Sequence, residues 1–251
     1  HEIRSVNTSQ APRHAMVLAA GLGTRMRPLT LHMPKPLVPV AGKPLLSYVL
    51  HPLLHASLTR IVINAHHCAD QMLAYVKNLN NPILHLSDES AQLMDSGGGV
   101  KKALPLLGQD PFYCLNADSF WIDGHQNNLS ILAQHWCPQS MDILLLLATM
   151  PQATGYDGAG DFDKDQQGRL TFRGDKDKAP FIYAGCSILK PTLFDNTPET
   201  PFSLSTLFQK AEAQGRLFGI QLDGLWMHVG TVAAIADTET QMRIHASSSS
   251  L

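Results

Sequence analysis

A phosphate-handling chemistry is written into residues 16 to 46, MVLAAGLGTRMRPLTLHMPKPLVPVAGKPLL. Gly21 and Gly23 clear side chains from a turn where backbone must approach a ligand or take a positive φ. Thr24, Arg25 and Arg27 set a hydroxyl and two permanent cations beside the exposed N–H groups of that turn, a combination that suits a polyphosphate. Lys35 stands between Pro34 and Pro36, which stiffen the backbone on either side and pre-set the aim of its ammonium. Two familiar phosphate loops are excluded. A dinucleotide fingerprint needs glycine where Met26 stands, and no Gly-Lys-Ser/Thr follows the glycines.

Further along, Asp118 closes the apolar run Phe112-Tyr-Cys-Leu-Asn-Ala-Asp. A carboxylate at the carboxyl end of a central strand, close to a phosphate loop, is where Mg²⁺ would be held. Gly97-Gly98-Gly99 opens a helix with apolar positions at 100, 103, 104 and 107, and free N–H groups there would read the edge of a planar ring lying on the glycines. The adjacent His66 and His67 would point apart and serve surface or capping roles.

The elements that position these residues alternate between apolar strands and periodic helices. Ala15 to Ala20, Arg60 to Asn64, Ile83 to Ser87, Phe112 to Asp118 and Asp142 to Thr149 read as strands, the last nearly all apolar and so covered on both faces. Helices are expected from Pro44, with apolar residues at 45, 46, 49, 50, 53 and 54 and a kink or end at Pro52, and through Met72, Val76 and Leu79. In the second half, Arg169 to Arg173, Phe181 to Leu189, Leu217 to Leu222 and Leu225 to Val229 read as strands, with a hairpin turn at Asp165–Gly168. Phe202 to Gln214 and Thr231 to about His245 read as helices. The pattern predicts an α/β fold, an open sheet with its helices, as one domain over residues 15–246. The domain would lie between tails at 1–14 and 247–251.

Composition narrows the classes. The chain has 251 residues, 44% hydrophobic and 16% charged, enough for one large α/β domain. A net charge of −2 supplies no global field toward nucleic acid or membrane. Four cysteines, Cys68, Cys114, Cys137 and Cys186, lack paired spacing and read as reduced thiols of a cytoplasmic protein. The first fourteen residues lack the apolar core of a signal peptide, and the apolar run Ile143–Ala148 is too short to span a bilayer.

Gly21-Leu22-Gly23-Thr24-Arg25-Met26-Arg27-Pro28-Leu29-Thr30, followed by Pro34-Lys35-Pro36-Leu37, resembles the signature of sugar-1-phosphate nucleotidyltransferases. The resemblance spans residues 15 to roughly 242 and implies a Rossmann-like mixed sheet with helices on both faces, with residues 15–150 as a nucleotide-binding half and 151–246 as a sugar-binding half. It implies a reaction between a nucleoside triphosphate and a sugar 1-phosphate, giving a nucleoside-diphosphate sugar and pyrophosphate. It further implies that the backbone from Leu18, Ala19 and Ala20 through Gly21, Gly23 and Thr24, together with Arg25, holds the triphosphate, that Lys35 lies near the α-phosphate, and that Asp118 ligates Mg²⁺. Gly97 and Gly98 would receive the base, and Asn116, Gly155, Asp161, Tyr183 and Gly185 the sugar. The stretch Leu93-Met-Asp-Ser-Gly-Gly-Gly is most like the branch that uses UTP and N-acetylmuramate 1-phosphate in cell-wall recycling. A mannose-1-phosphate guanylyltransferase is the alternative within the family, and a non-catalytic nucleotide-sugar sensor the alternative outside catalysis. Partners would be the two substrates alone, with no nucleic acid or membrane, in a monomer or small homo-oligomer.

The chain departs from the family in two places. The usual Glu-Lys-Pro that meets the sugar phosphate is absent, leaving Arg173, Lys176 and Lys178 as candidates. Where the family has Trp-x-Asp-(Val/Ile)-Gly-Thr, with a second metal aspartate, this chain reads Trp226-Met-His228-Val-Gly-Thr. His228 would either hydrogen-bond a phosphate, ligate a borderline metal such as Mn²⁺ or Co²⁺, or pack away from the site.

Overall fold

Side-chain alternation along the central strands builds two hydrophobic layers at once. Ala15 and Val17, Ile61 and Ile63, Tyr113 and Leu115, and Leu144 and Leu146 are buried in one cluster. Met16, Val62, Phe112 and Cys114, and Ile143, Leu145 and Leu147 are buried in the other. A strand that buries both faces must be covered on both, which is why these segments are apolar throughout.

The computed structural model describes residues 11–249; the remainder of the expected tails, residues 1–10 and 250–251, lies outside the described residues. In chain order the strands are β1 (His14–Leu18), β2 (Pro39–Val40), β3 (Lys43–Pro44), β4 (Arg60–Ala65), β5 (Leu84–Asp88), β6 (Phe112–Asn116), β7 (Ser119–Asp123), β8 (Ile143–Ala148), β9 (Ala153–Thr154), β10 (Phe162–Lys164), β11 (Leu170–Phe172), β12 (Ile182–Leu189), β13 (Leu217–Gln221) and β14 (Gly224–His228). The helices are α1 (Leu45–Leu54), α2 (Ala69–Asn78), α3 (Asp95–Leu107), α4 (Asn128–His135), α5 (Leu204–Ala213) and α6 (Val232–Ser249).

Seven strands form the main sheet in the order β13-β8-β12-β6-β1-β4-β5. β1 runs parallel to β4 and to β6, β4 parallel to β5, and β12 antiparallel to both β6 and β8. The chain steps outward from β1 to β4 and β5, then returns to place β6 on the other side of β1. That reversal leaves a crevice at the carboxyl ends of β1, β4 and β6, the place where open α/β sheets bind ligands. The expected mixed sheet with helices on both faces is therefore the observed one.

Several details differ from expectation. β7 and α4 lie outside the expected elements: α4 begins at an Asn127 cap, whose side chain accepts the Ser130 N–H at 2.9 Å. β14 does not join the main sheet but pairs with β7 and β9 in a separate three-stranded one. Pro52 neither ends nor interrupts α1, which continues to Leu54. Helix α6 runs past His245 through Ser247–Ser249, whose hydroxyls donate back to carbonyls one turn earlier.

Candidate active site

The crevice is a cleft of about 530 Å³. One wall is the glycine-rich loop, with Leu18, Ala19, Ala20, Gly21, Gly23, Thr24 and Arg25; a second is Lys35 and Pro36; a third is Asn116, Ala117 and Asp118 at the end of β6; a fourth is Leu93, Asp95 and Ser96 at the start of α3, and Asn64 lines it too. Residues far apart in sequence meet here because the crossover connections bring the carboxyl ends of three parallel strands side by side.

Gly23 has φ 65°, and a Cβ there would stand 3.0 Å from Thr30 and 3.1 Å from Lys35, so glycine is required both by conformation and by space. The Thr30 hydroxyl donates to the Gly23 carbonyl at 2.5 Å and folds the loop back on itself. Arg25 remains exposed on this loop.

Lys35 and His228 both converge on Asp118 at the edge of the cleft. Lys35 Nζ lies 3.9 Å from Asp118 Oδ2 and His228 Nε2 lies 3.7 Å from the same oxygen. The Val229 N–H donates to the Asp118 carbonyl at 2.8 Å, so the second half of the chain is pinned to the end of β6 at this point. Burial pulls the Lys35 ammonium below the ordinary lysine range, with Arg25 adding repulsion and Asp118 opposing. Burial alone would push the Asp118 carboxyl up, but His228 and Lys35 outweigh it and hold it below the usual carboxylate range. An ionised carboxylate therefore faces the cleft. Among the described residues no group of three or more His, Cys, Asp or Glu gathers as a metal cage. One ionised carboxylate, 35% exposed on its side chain, still fits Mg²⁺, which is bound by one or two carboxylates with substrate phosphates and water completing the shell.

The ring of His228 is oriented by its neighbours. It stacks on Trp226 with centroids 5.5 Å apart and planes at 16°, and Tyr156 meets it edge-on. Trp226 is itself locked by a buried hydrogen bond from Nε1 to the Ala184 carbonyl at 2.9 Å. Of the three readings for His228, packing away from the site is therefore set aside.

The expected base-reading glycines do something else. The Gly97 and Gly98 N–H groups both donate to the Phe202 carbonyl, at 2.8 and 3.1 Å, and neither glycine lines the cleft. A Cβ on Gly97 would meet the Phe202 ring at 2.3 Å, so glycine here serves close packing of α3 against the segment before α5. The helix opens two residues earlier, at Asp95, which takes φ 61°. Asp95 and Ser96, not Gly97 and Gly98, face the cleft.

Of the expected sugar residues, Asn116 lines the cleft and the other four do not. Gly185 backs Asn116: with φ 75°, a Cβ there would stand 3.4 Å from Asn116 Cβ and 2.5 Å from Ser119 Oγ. It sits where the pairing of β12 with β8 shifts register between Tyr183 and Ser187. Asp161 accepts the Tyr183 N–H at 2.8 Å, and the Tyr183 ring packs edge-on against Phe208. Gly155, with φ 79°, lies against the His228 carbonyl. These residues shape the walls around His228 and Asn116. Arg173 donates to the carbonyls of Gly160 and Lys176, and Lys176 pairs with Asp163, while Lys178 is exposed.

His66 and His67 brace the site from behind, through contacts of their ring nitrogens with the carbonyls of Glu89 at 2.7 Å and Thr30 at 2.6 Å. Cys114 and Cys186 are buried, Cys68 and Cys137 half-buried, and all four are free thiols. Sequence reading missed Asn64 as a cleft residue, and within the expected base-binding stretch 93–99 it singled out the glycines where the cleft is lined by Leu93, Asp95 and Ser96. A signal existed for Asn64, a polar residue that follows the apolar run Ile61–Ile63 near the end of β4, much as Asn116 follows one at the end of β6. No described helix is long and apolar enough to cross a membrane.

Comparison with known proteins agrees with this geometry. The chain is 41% identical to the N-acetylmuramate alpha-1-phosphate uridylyltransferase of Caulobacter vibrioides, over 93% of this chain and 98% of that one. It is 32% identical to the protein of the same description from Neisseria meningitidis, over 90% and 96% of the two chains. Its fold matches the crystal structure of a UDP-glucose pyrophosphorylase complexed with UDP-glucose, with a TM-score of 0.74 at 18% identity, covering 93% and 99% of the chains. The family model described as nucleotidyl transferase matches residues 14–244, and the chain belongs to that family.

Proposed function

We propose that the protein transfers the uridylyl group of UTP to N-acetylmuramate 1-phosphate, giving UDP-N-acetylmuramate and pyrophosphate, as a step in the recycling of cell-wall amino sugar. The observation that carries the transfer chemistry is the meeting of Arg25, Lys35 and Asp118 around one cleft. The choice of substrates is supported by what the two relatives are described as doing.

A phosphate oxygen of the sugar 1-phosphate attacks the α-phosphorus of the nucleotide. The new O–P bond forms in line with the breaking bond to pyrophosphate, which leaves with the electron pair. Attacker and leaving group are both anionic already, so no general base is needed, and catalysis is positioning plus charge neutralisation. Arg25 balances charge on the leaving pyrophosphate, and Lys35 meets the α-phosphate. The half-buried position of Lys35 makes its charge count for more than in open water. Mg²⁺ would be held by Asp118 with phosphate oxygens and water, and supplies further neutralisation of the two phosphates. His228 donates a hydrogen bond to a phosphate rather than ligating metal.

The nucleotide occupies the half formed by residues 15–150, with its base toward Leu93–Ser96. The sugar phosphate takes Asn116, which Gly185 backs, and is approached from the half formed by residues 151–246, with Lys178 the candidate cation for its phosphate. The protein works in the cytoplasm as a monomer or small homo-oligomer. The test is a matrix of UTP, GTP, CTP and dTTP against N-acetylmuramate, mannose, glucose and N-acetylglucosamine 1-phosphates, read by pyrophosphate release. UTP with N-acetylmuramate 1-phosphate should be fastest; a preference for GTP with mannose 1-phosphate, or no release with any pair, overturns the reading.

A further inference from the structure

Glu89 is a carboxylate with no exposure at all. Among the described residues it has no ion-pair partner within reach. Neutral donors hold it instead. Asn64 Nδ2 donates to Oε2 at 2.7 Å, and the Met94 N–H donates to Oε1 at 3.0 Å. Met94 is the residue that caps α3, so the carboxylate sits at the positive end of that helix, where a lone anion is best tolerated.

Asn64 in turn faces the phosphate loop: its Oδ1 accepts the Ala19 N–H at 2.6 Å. The pair is closed in from below by Gly99, where a Cβ would stand 2.8 Å from Asn64 Nδ2 and 3.1 Å from Glu89 Oε2. One continuous chain of hydrogen bonds therefore runs from the phosphate loop through Asn64 and Glu89 to the start of α3, joining two opposite walls of the cleft.

We propose that Glu89 is a positioning residue for the nucleotide, setting the phosphate loop against the Leu93–Ser96 turn by fixing which end of the Asn64 amide faces Ala19. The two ends of an amide have nearly the same size and opposite hydrogen-bonding sense. A carboxylate can only accept, so it forces Asn64 to present Nδ2 inward and Oδ1 to Ala19. Glutamine at position 89 could not accept from both Asn64 and Met94; its own N–H₂ would oppose one of the two donors. Exchanging the two groups, by combining Asn64→Asp with Glu89→Gln, restores all three bonds. The Ala19 N–H then donates to the carboxylate at position 64, the amide N–H₂ at position 89 donates to that same carboxylate, and the Met94 N–H donates to the amide oxygen. This inference rests on the reading of the cleft as a nucleotide site.

The experiment compares wild type, Glu89→Gln, Asn64→Asp and the double variant, all in the full chain. Each is assayed for KM of UTP and of N-acetylmuramate 1-phosphate by pyrophosphate release, beside a thermal melt. Glu89→Gln should raise the KM for UTP about tenfold, the scale of one unsatisfied buried donor, while the KM for the sugar phosphate stays within about twofold. The double variant should recover most of the UTP KM. Unchanged UTP KM in Glu89→Gln, equal loss toward both substrates, or a double variant no better than the worse single one, unfolded or not, overturns the inference. Should wild type turn over another triphosphate and not UTP, the uridylyl reading falls, and the same four proteins assayed with that triphosphate still decide the role of Glu89.

Discussion

His228 Nε2 stands 3.7 Å from Asp118 Oδ2, because Asp118 lies in the turn just before β7 and His228 pairs with Ser119 in the ladder of β14 and β7. This contact is where the two halves of the chain meet over the cleft. It puts an imidazole where the resembled family carries a second carboxylate, and it accounts in part for the ionised state of Asp118.

Replacing His228 with Asp should set two carboxylates against each other, with like charges disfavouring ionisation of both and destabilising the fold without divalent ion. Mg²⁺ would bind between them and reverse the loss by mass action. The rise in melting temperature on adding Mg²⁺ should therefore be larger in His228→Asp than in wild type, and Mg²⁺ should support wild-type turnover without Mn²⁺. Wild-type turnover only with Mn²⁺ or Co²⁺ would make His228 a metal ligand instead.

Arg25→Ala should cut turnover by about 10² or more, the scale seen when other electrostatic stabilisers of a transition state are removed. Arg25 is exposed, so the melting temperature should stay within about a degree or two of wild type. Near-normal pyrophosphate release from the variant would remove Arg25 from the triphosphate site.

Gly97→Ala should act on stability rather than on base choice. Its methyl would enter the Phe202 ring, and displacing that ring costs about 1–3 kcal/mol by the usual scale of overpacking. Urea denaturation should show the loss, while the ratio of UTP to GTP turnover stays as in wild type. A changed ratio without loss of stability would return Gly97 to the base site.

Asp161 carries a pH signature of its own. Burial raises its pKa above the ordinary aspartate value, against the opposing effects of the Tyr183 N–H, Arg173 and His228. Between the unfolded and folded pKa values the native state binds more protons than the unfolded one, so the Asp161 contribution to stability is full below the unfolded value and is lost as pH rises through the folded one. Asp161→Asn keeps an acceptor for the Tyr183 N–H and removes this titration. The difference in unfolding free energy between variant and wild type, followed by urea denaturation, should grow in favour of the variant as pH rises from about 3.8. A difference that is flat or of opposite slope would show that burial does not dominate at Asp161.

Most strands and helices, though not β7 or α4, the glycine-rich turn and the charged residues Arg25, Lys35 and Asp118 could be read from the sequence alone. Each depends on local chemistry: apolar runs that must be buried, glycines that permit a turn, prolines that stiffen it, and a carboxylate at a strand end. Tertiary structure decided the rest, because it depends on what another segment brings. Nothing near Gly97 in sequence announces that Phe202 will occupy the space above it and take its N–H, so a packing glycine looked like a binding one. Asn64 read only as the end of a strand, and nothing local marked Glu89, until β4, the glycine-rich loop and α3 were brought together. The role of His228 likewise followed from β14 leaving the main sheet to pair with β7, a pairing set by long-range contacts rather than by the pattern of any one segment.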